Sequence, residues 1–227
     1  MREAVPFPKR EAGLCFFIVQ ETCRFRRKWG RARRAYGGMD MKYRSEVRLR
    51  NDEACLLRSL EPSDAKEALA VCRKAAGETL NMMRYEDEWT MTVEQEAQFI
   101  ERQLVSPKAL MLGAFVDVRM AGTAIFQSVH PGDRARHRAG VGISILKAYW
   151  NQGVGTAMMR ALIDAAKTTS LEQLELSVVS TNKSAIRLYT RCGFETYGRL
   201  PQMMKYRDGT YADENLMMLD LTKKTSP

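Results

Sequence analysis

The chain has 227 residues, of which 45% are hydrophobic and 28% charged, enough apolar material for the core of one large domain, alone or with an extension. Its formal net charge is +9, but residues 1–40 hold ten Lys and Arg against four Asp and Glu. The rest of the chain therefore carries only +3, which argues against a nucleic-acid-binding protein. No apolar run approaches the roughly 18 residues that span a bilayer, so we expect no membrane partner.

Cysteine and histidine usage indicates neither a disulfide framework nor a metal site. The five cysteines show no CxxC pair, and the two histidines, His130 and His137, lie in one polar, basic stretch. We therefore expect reduced thiols and no bound metal. The apolar run 12–19 is short and lacks a clear small-residue cleavage site, so we predict a cytoplasmic protein.

The first 40 residues differ in composition from the rest. They mix Pro, Arg, aromatic residues and Gly without helical or strand periodicity. Three interpretations stay open: a basic arm for nucleic acid or a membrane surface, a targeting peptide, or sequence upstream of the functional start. We favour the third, with Met39 or Met41 as the functional start, because Met41 lies just before the first plausible strand. Residues 44–222 are then the folded domain, and 223–227 a C-terminal tail.

The first half of the domain is predicted to contain a strand, two helices and a strand hairpin, at 53–60, 65–75, 93–104, 109–117 and 120–129. Pro62-Ser63-Asp64 marks the start of the first helix, and Thr92 with Gln95 has the spacing of a capping box before the second. Between these helices, residues 77–91 form a polar loop with the acidic run 86–88. A basic loop is predicted at 130–138.

The second half alternates strands and helices, predicted at 139–146, 156–167, 171–179, 184–191, 194–197 and 216–221. The helix 156–167 has a broad apolar face that includes Met158 and Leu162. A turn at Asp208-Gly209 separates the last two strands. This order of elements predicts an α/β domain with a mixed sheet.

A glycine-containing turn, Gln152-Gly153-Val154-Gly155-Thr156, lies between a strand and a helix. Free N–H groups at a helix N-terminus bind anions such as a pyrophosphate, and glycine lets the ligand approach the backbone closely. An ordinary tight turn can have the same pattern. No Lys-Ser/Thr follows the glycines and a third glycine is missing, so the turn is neither a nucleotide P-loop nor a full dinucleotide fingerprint.

A second stretch, 182–194, follows thirty residues later. Asn182 is a favourable helix N-cap, and Tyr189 lies two turns further along the same helix face. Both side chains could therefore contact one ligand. The alternative is a capped helix with a half-buried core tyrosine.

Together the two stretches resemble the motifs of the GNAT superfamily of acetyl-CoA-dependent N-acetyltransferases. The family pattern Gln/Arg-x-x-Gly-x-Gly/Ala matches residues 150–155, with Trp150 where Gln or Arg is usual. The pattern Asn-x-x-Ala-Ile-x-Leu-Tyr-x-x-x-Gly-Phe matches 182–194. The resemblance covers some three-quarters of the chain, and excludes residues 1–40. It implies the GNAT fold, a central mixed, mostly antiparallel twisted sheet flanked by helices, with acetyl-CoA as cosubstrate.

The resemblance also implies which residues bind the cosubstrate. The strand before the glycine turn would pair with the pantetheine arm, the turn would bind the pyrophosphate, and Asn182 would contact the coenzyme arm. Tyr189 would lie beside the sulfur and protonate the leaving thiolate. A backbone N–H near Ile145 is the candidate donor to the oxyanion. The predicted cofactor-binding residues are Ile143, Ser144, Ile145, Gln152, Gly153, Val154, Gly155, Thr156, Asn182 and Tyr189.

The resemblance departs from the family pattern at the position of the general base. Some family members place a glutamate five residues before the motif Asn, where this chain has Ser177. Glu175 lies two residues earlier on the same strand face. It could activate the amine through a water, which makes it the second candidate catalytic residue beside Tyr189, or it could be an exposed strand carboxylate.

The expected acceptor is a primary amine of a small molecule such as an amino acid. The acidic run 86–88 could attract an ammonium group or could be a solvated loop. Stretches 206–214 and 174–178 resemble family members that act on free amino acids. Acetylation of protein N-termini or lysines is the alternative activity, and a non-catalytic acyl-CoA sensor is the alternative class. The sequence leaves open whether the protein forms a homodimer.

Overall fold

The structure is a computed structural model that describes residues 42–128 and 132–223. The three interpretations of residues 1–40 concern a segment outside the described residues. Most of the predicted tail 223–227, His130 and the end of the predicted strand 120–129 also lie outside the described residues. These predictions therefore stay predictions.

Within the described residues, eight strands form one sheet and four α-helices flank it. The strands are β1 Arg44–Arg48, β2 Ala54–Ser59, β3 Ala109–Val116, β4 Arg119–Ser128, β5 Arg138–Ile145, β6 Gln173–Val179, β7 Glu195–Lys205 and β8 Tyr211–Asp220. The helices are α1 Ala65–Gly77, α2 Val93–Leu104, α3 Val154–Lys167 and α4 Lys183–Arg191. The strand order is β1-β2-β3-β4-β5-β6-β8-β7, with only the β5–β6 pair parallel. The predicted fold class, a mixed and mostly antiparallel sheet flanked by helices, is confirmed.

Each face of the sheet is covered because each helix has an apolar stripe. On one face, Ala68 of α1 and Ile100 of α2 are fully buried against side chains of β3 and β4. On the other face, Met158 and Leu162 of α3 are fully buried in the larger cluster, which α4 joins through Tyr189. The apolar face predicted for α3 is confirmed. Full burial of such a side chain contributes roughly 1.5–3 kcal/mol.

Strand β5 separates from β6 partway along its length. β5 pairs with β4 as far as Ile145, but its parallel pairing with β6 extends only from Arg138 to Gly140. Over residues 141–145 the β5 edge facing β6 has no strand partner in the described part of the chain. We call this opening the β5–β6 gap. Its unpaired peptide groups can pair with an extended ligand, as they would with an added strand.

Some element boundaries differ from those predicted. The sequence does not predict β1, because this edge strand has a single large apolar residue, Val47, and alternates only between exposed and half-buried positions. β7 and β8 have 11 and 10 residues, so both strands are longer than predicted. In β7 most side chains are exposed, so no apolar pattern marks its full length. Local signals did predict the start of α2, where Thr92 Oγ1 accepts a bond from Gln95 N at 3.3 Å.

The two-residue turn between β3 and β4 is strained at Val118. Asp117 and Val118 have φ angles of 47° and 60°, the left-handed values of a type I′ turn, which favours glycine at the second position. A left-handed L-residue costs roughly 1–2 kcal/mol, and glycine loses about 0.5–1 kcal/mol more conformational entropy on folding. Val118 is 93% exposed, so its side chain has little packing to lose. We expect Val118→Gly to raise the free energy of unfolding by about 0.5–1 kcal/mol.

Urea unfolding of matched variants tests this prediction. Val105 is 73% exposed and has a φ of −94°, so Val105→Gly relieves no strain and should destabilise the protein. A Val118→Gly protein less stable than wild type would contradict the prediction.

Candidate active site

The glycine turn places several backbone amides at the start of α3. Gly153 is the N-cap residue with a φ of 101°, a conformation that favours glycine. The first helical bond of α3 runs from Ala157 N to Gly153 O at 3.0 Å. The N–H groups of Val154, Gly155 and Thr156 therefore precede the helical hydrogen-bond ladder and point out of the helix end. The helix begins two residues earlier than predicted, but the predicted cluster of amides is at its N-terminus.

The turn between β1 and β2 braces the glycine turn. Arg50 N donates to Gln152 O at 2.9 Å, and Asn51 Nδ2 donates to Gln152 Oε1 at 3.4 Å. Gln152 Nε2 donates to Ala148 O at 2.8 Å. The Gln152 side chain is thus committed to holding the turn. Sequence reasoning missed this support, because about 100 residues separate the partners.

Gly155 brings the two motifs into contact. A Cβ at this position would lie 3.1 Å from Leu188 Cδ2 of α4 and 3.2 Å from Ile145 Cδ1 of β5. Glycine therefore lets α3 approach α4 and the end of β5 closely. This packing places both motifs beside the β5–β6 gap.

Strand β5 directs alternate peptide groups into the gap. Leu146 N donates to a β4 carbonyl at 3.0 Å. By the alternation of an antiparallel ladder, the peptide groups of Ser144 face β4, and those of Ile143 and Ile145 face the gap. Ile145 O also accepts a bond from Trp150 Nε1 at 2.8 Å. Trp150, the departure from the family pattern, thus ties the glycine turn to the end of β5.

Asn182 and Tyr189 lie on α4 as the motif predicts. Asn182 Oδ1 accepts the Ala185 N–H at 3.1 Å, so the predicted N-cap is confirmed. Tyr189 is 8% exposed, with its ring centroid 6.0 Å from that of Phe194. Burial raises the pKa of the Tyr189 phenol to about 12. The phenol is therefore in its protonated, acid form at neutral pH.

Glu175 is fully buried, so the exposed-carboxylate interpretation is wrong. β6 lies between β5 and β8, which pair with it through Gly140 and Met218 opposite Glu175. Glu175 Oε1 forms an ion pair with Arg138 Nε and accepts a bond from Gln173 Nε2 at 3.1 Å. Glu175 Oε2 is buried without a hydrogen-bond partner among the described residues. Such an oxygen can accept a proton or a bond from a bound molecule.

A cavity of about 540 Å³ lies between the α1–α2 loop and the β7–β8 turn. Its wall includes Glu78, whose Oε2 accepts the Lys147 N–H at 2.6 Å. Lys147 follows β5 by two residues, so the cavity adjoins the end of the strand that borders the gap. Glu86 and Asp87 of the acidic run line it, and Gly77 leaves room for the Glu86 carboxylate. Tyr85 and Arg207 also line it. The sequence indicated Arg207 only as part of the stretch 206–214, and it gave no sign that Tyr85 lies beside it.

Residues 42–128 and 132–223 contain neither a metal-binding cluster nor a membrane-spanning helix. No group of three or more His, Cys, Asp and Glu side chains there could hold a metal ion. None of the helices is long and apolar enough to cross a bilayer. The three cysteines in this part of the chain, Cys55, Cys72 and Cys192, are free thiols.

Comparison with known sequences identifies the family. The model of the acetyltransferase (GNAT) family matches residues 77–194. The L-amino acid N-acetyltransferase AaaT of Escherichia coli (strain K12) is 30% identical over 118 residues, covering 52% of this chain and 72% of that protein. N-alpha-acetyltransferase 30 of Schizosaccharomyces pombe is 33% identical over 86 residues, covering 38% of this chain and 55% of that protein.

Solved structures show the same fold. An acetyltransferase of the GNAT family from Streptococcus pneumoniae has a TM-score of 0.68 at 30% identity, covering 72% of this chain and 97% of that chain. The putative acetyltransferase yncA from Salmonella typhimurium, solved with its cofactor acetyl-CoA, has a TM-score of 0.67 at 20% identity, covering 75% and 96%. The chain therefore belongs to the GNAT acetyltransferase family, and it is an acyltransferase.

Proposed function

We propose that this protein transfers the acetyl group of acetyl-CoA to the primary amine of a small molecule such as an amino acid. The observation that carries the proposal is the position of the cavity, whose Glu78 is hydrogen-bonded to Lys147 just beyond β5. An acceptor in the cavity would lie beside the β5–β6 gap. The carboxylates that line the cavity would attract an ammonium group.

The described residues fit acetyl-CoA as the donor. The amides from Gly153 to Thr156 would bind its pyrophosphate, because the N-terminus of a helix favours a bound anion. The Ile143 peptide groups and the Ile145 N–H would pair with the pantetheine arm, because the Ile145 carbonyl already accepts the Trp150 bond. The Ser144 peptide groups face β4, so Ser144 would hold β5 in position for this pairing. Asn182 uses its side-chain oxygen as the helix cap, so its amide NH2 would contact the coenzyme.

The chain's own groups account for the proton transfers of such a reaction. An ammonium has no lone pair, so a base must first remove a proton. Glu175 Oε2 would receive it through a water in the gap. A peptide N–H near Ile145 would donate to the tetrahedral oxyanion, and Tyr189 would protonate the CoA thiolate as the intermediate collapses. The second proton that the amine nitrogen loses on amide formation would then restore the Tyr189 phenol.

Relatives support a small acceptor and leave an alternative. AaaT is named for L-amino acids, and the L-methionine sulfoximine/L-methionine sulfone acetyltransferase of Pseudomonas aeruginosa is 33% identical over 70 residues. The Schizosaccharomyces pombe relative instead favours protein N-termini as the second candidate acceptor. We also propose a cytoplasmic location, because the cysteines of the described residues are free thiols and reducing compartments keep thiols free. The homodimer remains a prediction.

A pooled acceptor screen tests the function. Purified protein with acetyl-CoA and pools of amino acids, polyamines and peptides should release free CoA thiol, fastest with a small amine. Thiol release with peptides alone would favour the alternative acceptor. Acetyl-CoA binding without thiol release from any pool would favour a sensor, and no binding of acetyl-CoA would overturn the proposal.

A further inference from the structure

The cavity is closed on one side by contacts of Arg207 with the α1–α2 loop. Arg207 Nη2 donates to Oδ1 and Oδ2 of Asp87, both at 2.7 Å. Its backbone N–H donates to the Tyr85 hydroxyl at 3.0 Å, and its guanidinium carbon lies 4.1 Å from the centroid of the Tyr85 ring. These contacts hold Arg207 against the α1–α2 loop, where it forms part of the cavity wall.

Both sides of this closure are held in place by their own turns. In the β7–β8 turn, Tyr206 N donates to Thr210 O at 2.8 Å, and Asp208 Oδ1 accepts from Thr210 N at 2.9 Å. On the opposite side, Glu88 Oε2 accepts the Tyr85 N–H at 2.8 Å. The backbone of Arg207 is therefore positioned before any ligand binds, which lowers the entropy cost of binding to it.

The charges that line the cavity are arranged for a dipolar ligand. Glu78, Glu86 and Asp87 supply three carboxylates, and Arg207 is the cation among the described lining residues. Glu78 is bonded to a backbone N–H. The cavity thus offers acceptors for an ammonium group near Glu86 and donors for a carboxylate at Arg207.

The Arg207–Asp87 pair is suited to exchange. The two side chains are 59% and 66% exposed, and water and salt screen such a pair, so it contributes little to stability. The bonds to Asp87 use one guanidinium nitrogen, although the group has five N–H donors and matches a carboxylate best in a bidentate geometry. A substrate carboxylate can therefore replace Asp87 with a gain in hydrogen bonding.

We propose that Arg207 determines acceptor specificity by binding the α-carboxylate of an amino acid, which takes the place of Asp87. Glu86 then lies where it can receive the substrate ammonium group. The inference rests on the proposed function and narrows it to acceptors with a free carboxylate. A peptide N-terminus has no carboxylate at this distance from its amine, so it would lack this interaction.

Steady-state kinetics with paired acceptors test the proposal. The amino acid that the pooled screen ranks highest is compared with its α-carboxamide, which keeps the amine and side chain but has no charge to bind Arg207. Arg207→Gln should raise KM for the amino acid about 10- to 100-fold, the range for a lost hydrogen bond to a charged group. KM for the carboxamide and for acetyl-CoA should change less than about 2-fold.

Asp87→Asn distinguishes exchange from a structural clamp. Removing the competing carboxylate should lower KM for the amino acid, the opposite of the Arg207→Gln effect. If the pair only held the loop and turn together, both variants would lose that contact and change KM in the same direction for both acceptors. That result, or an unchanged amino-acid KM in Arg207→Gln, overturns the inference.

Arg199→Gln is the matched control. Arg199 Nε donates to Asp213 Oδ2 at 2.8 Å in an ion pair between β7 and β8, whose residues do not line the cavity. The Arg199 side chain is 63% exposed, close to the 59% of Arg207. Its removal should leave both KM values unchanged. Carboxamides acetylated as well as amino acids by the wild-type enzyme would overturn the inference while leaving the proposed function intact, whereas failure of the pooled screen removes both.

Discussion

Replacement of Tyr189 by Phe is expected to lower kcat by about 100-fold or more, the range for loss of a general acid. The affinity for acetyl-CoA should stay within about 2-fold, because Phe lacks only the hydroxyl. The ring would keep its packing against Phe194, so the fold should not change. Because burial raises its pKa to about 12, the Tyr189 phenol is protonated at neutral pH and has a proton to donate to the departing sulfur.

Two measurements on the same preparation check this expectation. Thiol release gives kcat, and calorimetric titration gives the acetyl-CoA Kd. Tyr211→Phe is the control, because Tyr211 is a half-exposed residue of β8 and its hydroxyl has no part in the proposed chemistry. If Tyr189→Phe turned over as fast as wild type, Tyr189 would have no role as the acid.

Replacement of Arg138 by Met is expected to lower the free energy of unfolding by about 3–5 kcal/mol, the cost of leaving a buried charge without its partner. Glu175 is fully buried, and its Oε1 forms an ion pair with Arg138. The Gln173 amide would remain, but it is a neutral donor. Urea unfolding at neutral pH measures the loss.

The double variant Arg138→Met/Glu175→Met separates charge from packing. Both charges are then gone and an apolar side chain fills each position, so most of the lost stability should return. A double variant no more stable than Arg138→Met would show that the ion pair is not what the single substitution disturbs.

Glu175→Gln separates stability from catalysis. The amide oxygen can still accept the Arg138 bond, so the free energy of unfolding should fall much less than in Arg138→Met. An amide cannot take a proton, so kcat should fall about 100-fold if Glu175 is the base. Wild-type kcat in this variant would leave Glu175 a purely structural residue.

The features that the sequence predicts are those set by near neighbours in the chain. The glycine turn, the Asn182 cap and the capping box at Thr92 each depend on backbone geometry within four residues. The helix periodicity likewise predicts which face of α3 is buried, because side chains four residues apart share a face. The two motifs therefore indicated the cosubstrate end of the site.

Other features depend on contacts between distant segments. Strand alternation places Glu175 on a face but does not say what covers that face, and only the pairing of β6 with β5 and β8 decides that it is buried beside Arg138. β1 and β7 are the two edge strands of the sheet. Edge strands tolerate polar and charged side chains, so no apolar pattern marks them in the sequence.

The cavity that we propose for the acceptor shows the same division most clearly. Tyr85 and Asp87 lie 120 or more positions from Arg207 in the chain, yet all three meet at one opening. The sequence by itself determined that this chain has the motifs and element order of an acetyltransferase. Only the tertiary structure decided which charges line this cavity, because side chains distant in sequence become neighbours when the α1–α2 loop and the β7–β8 turn pack together at the end of β5.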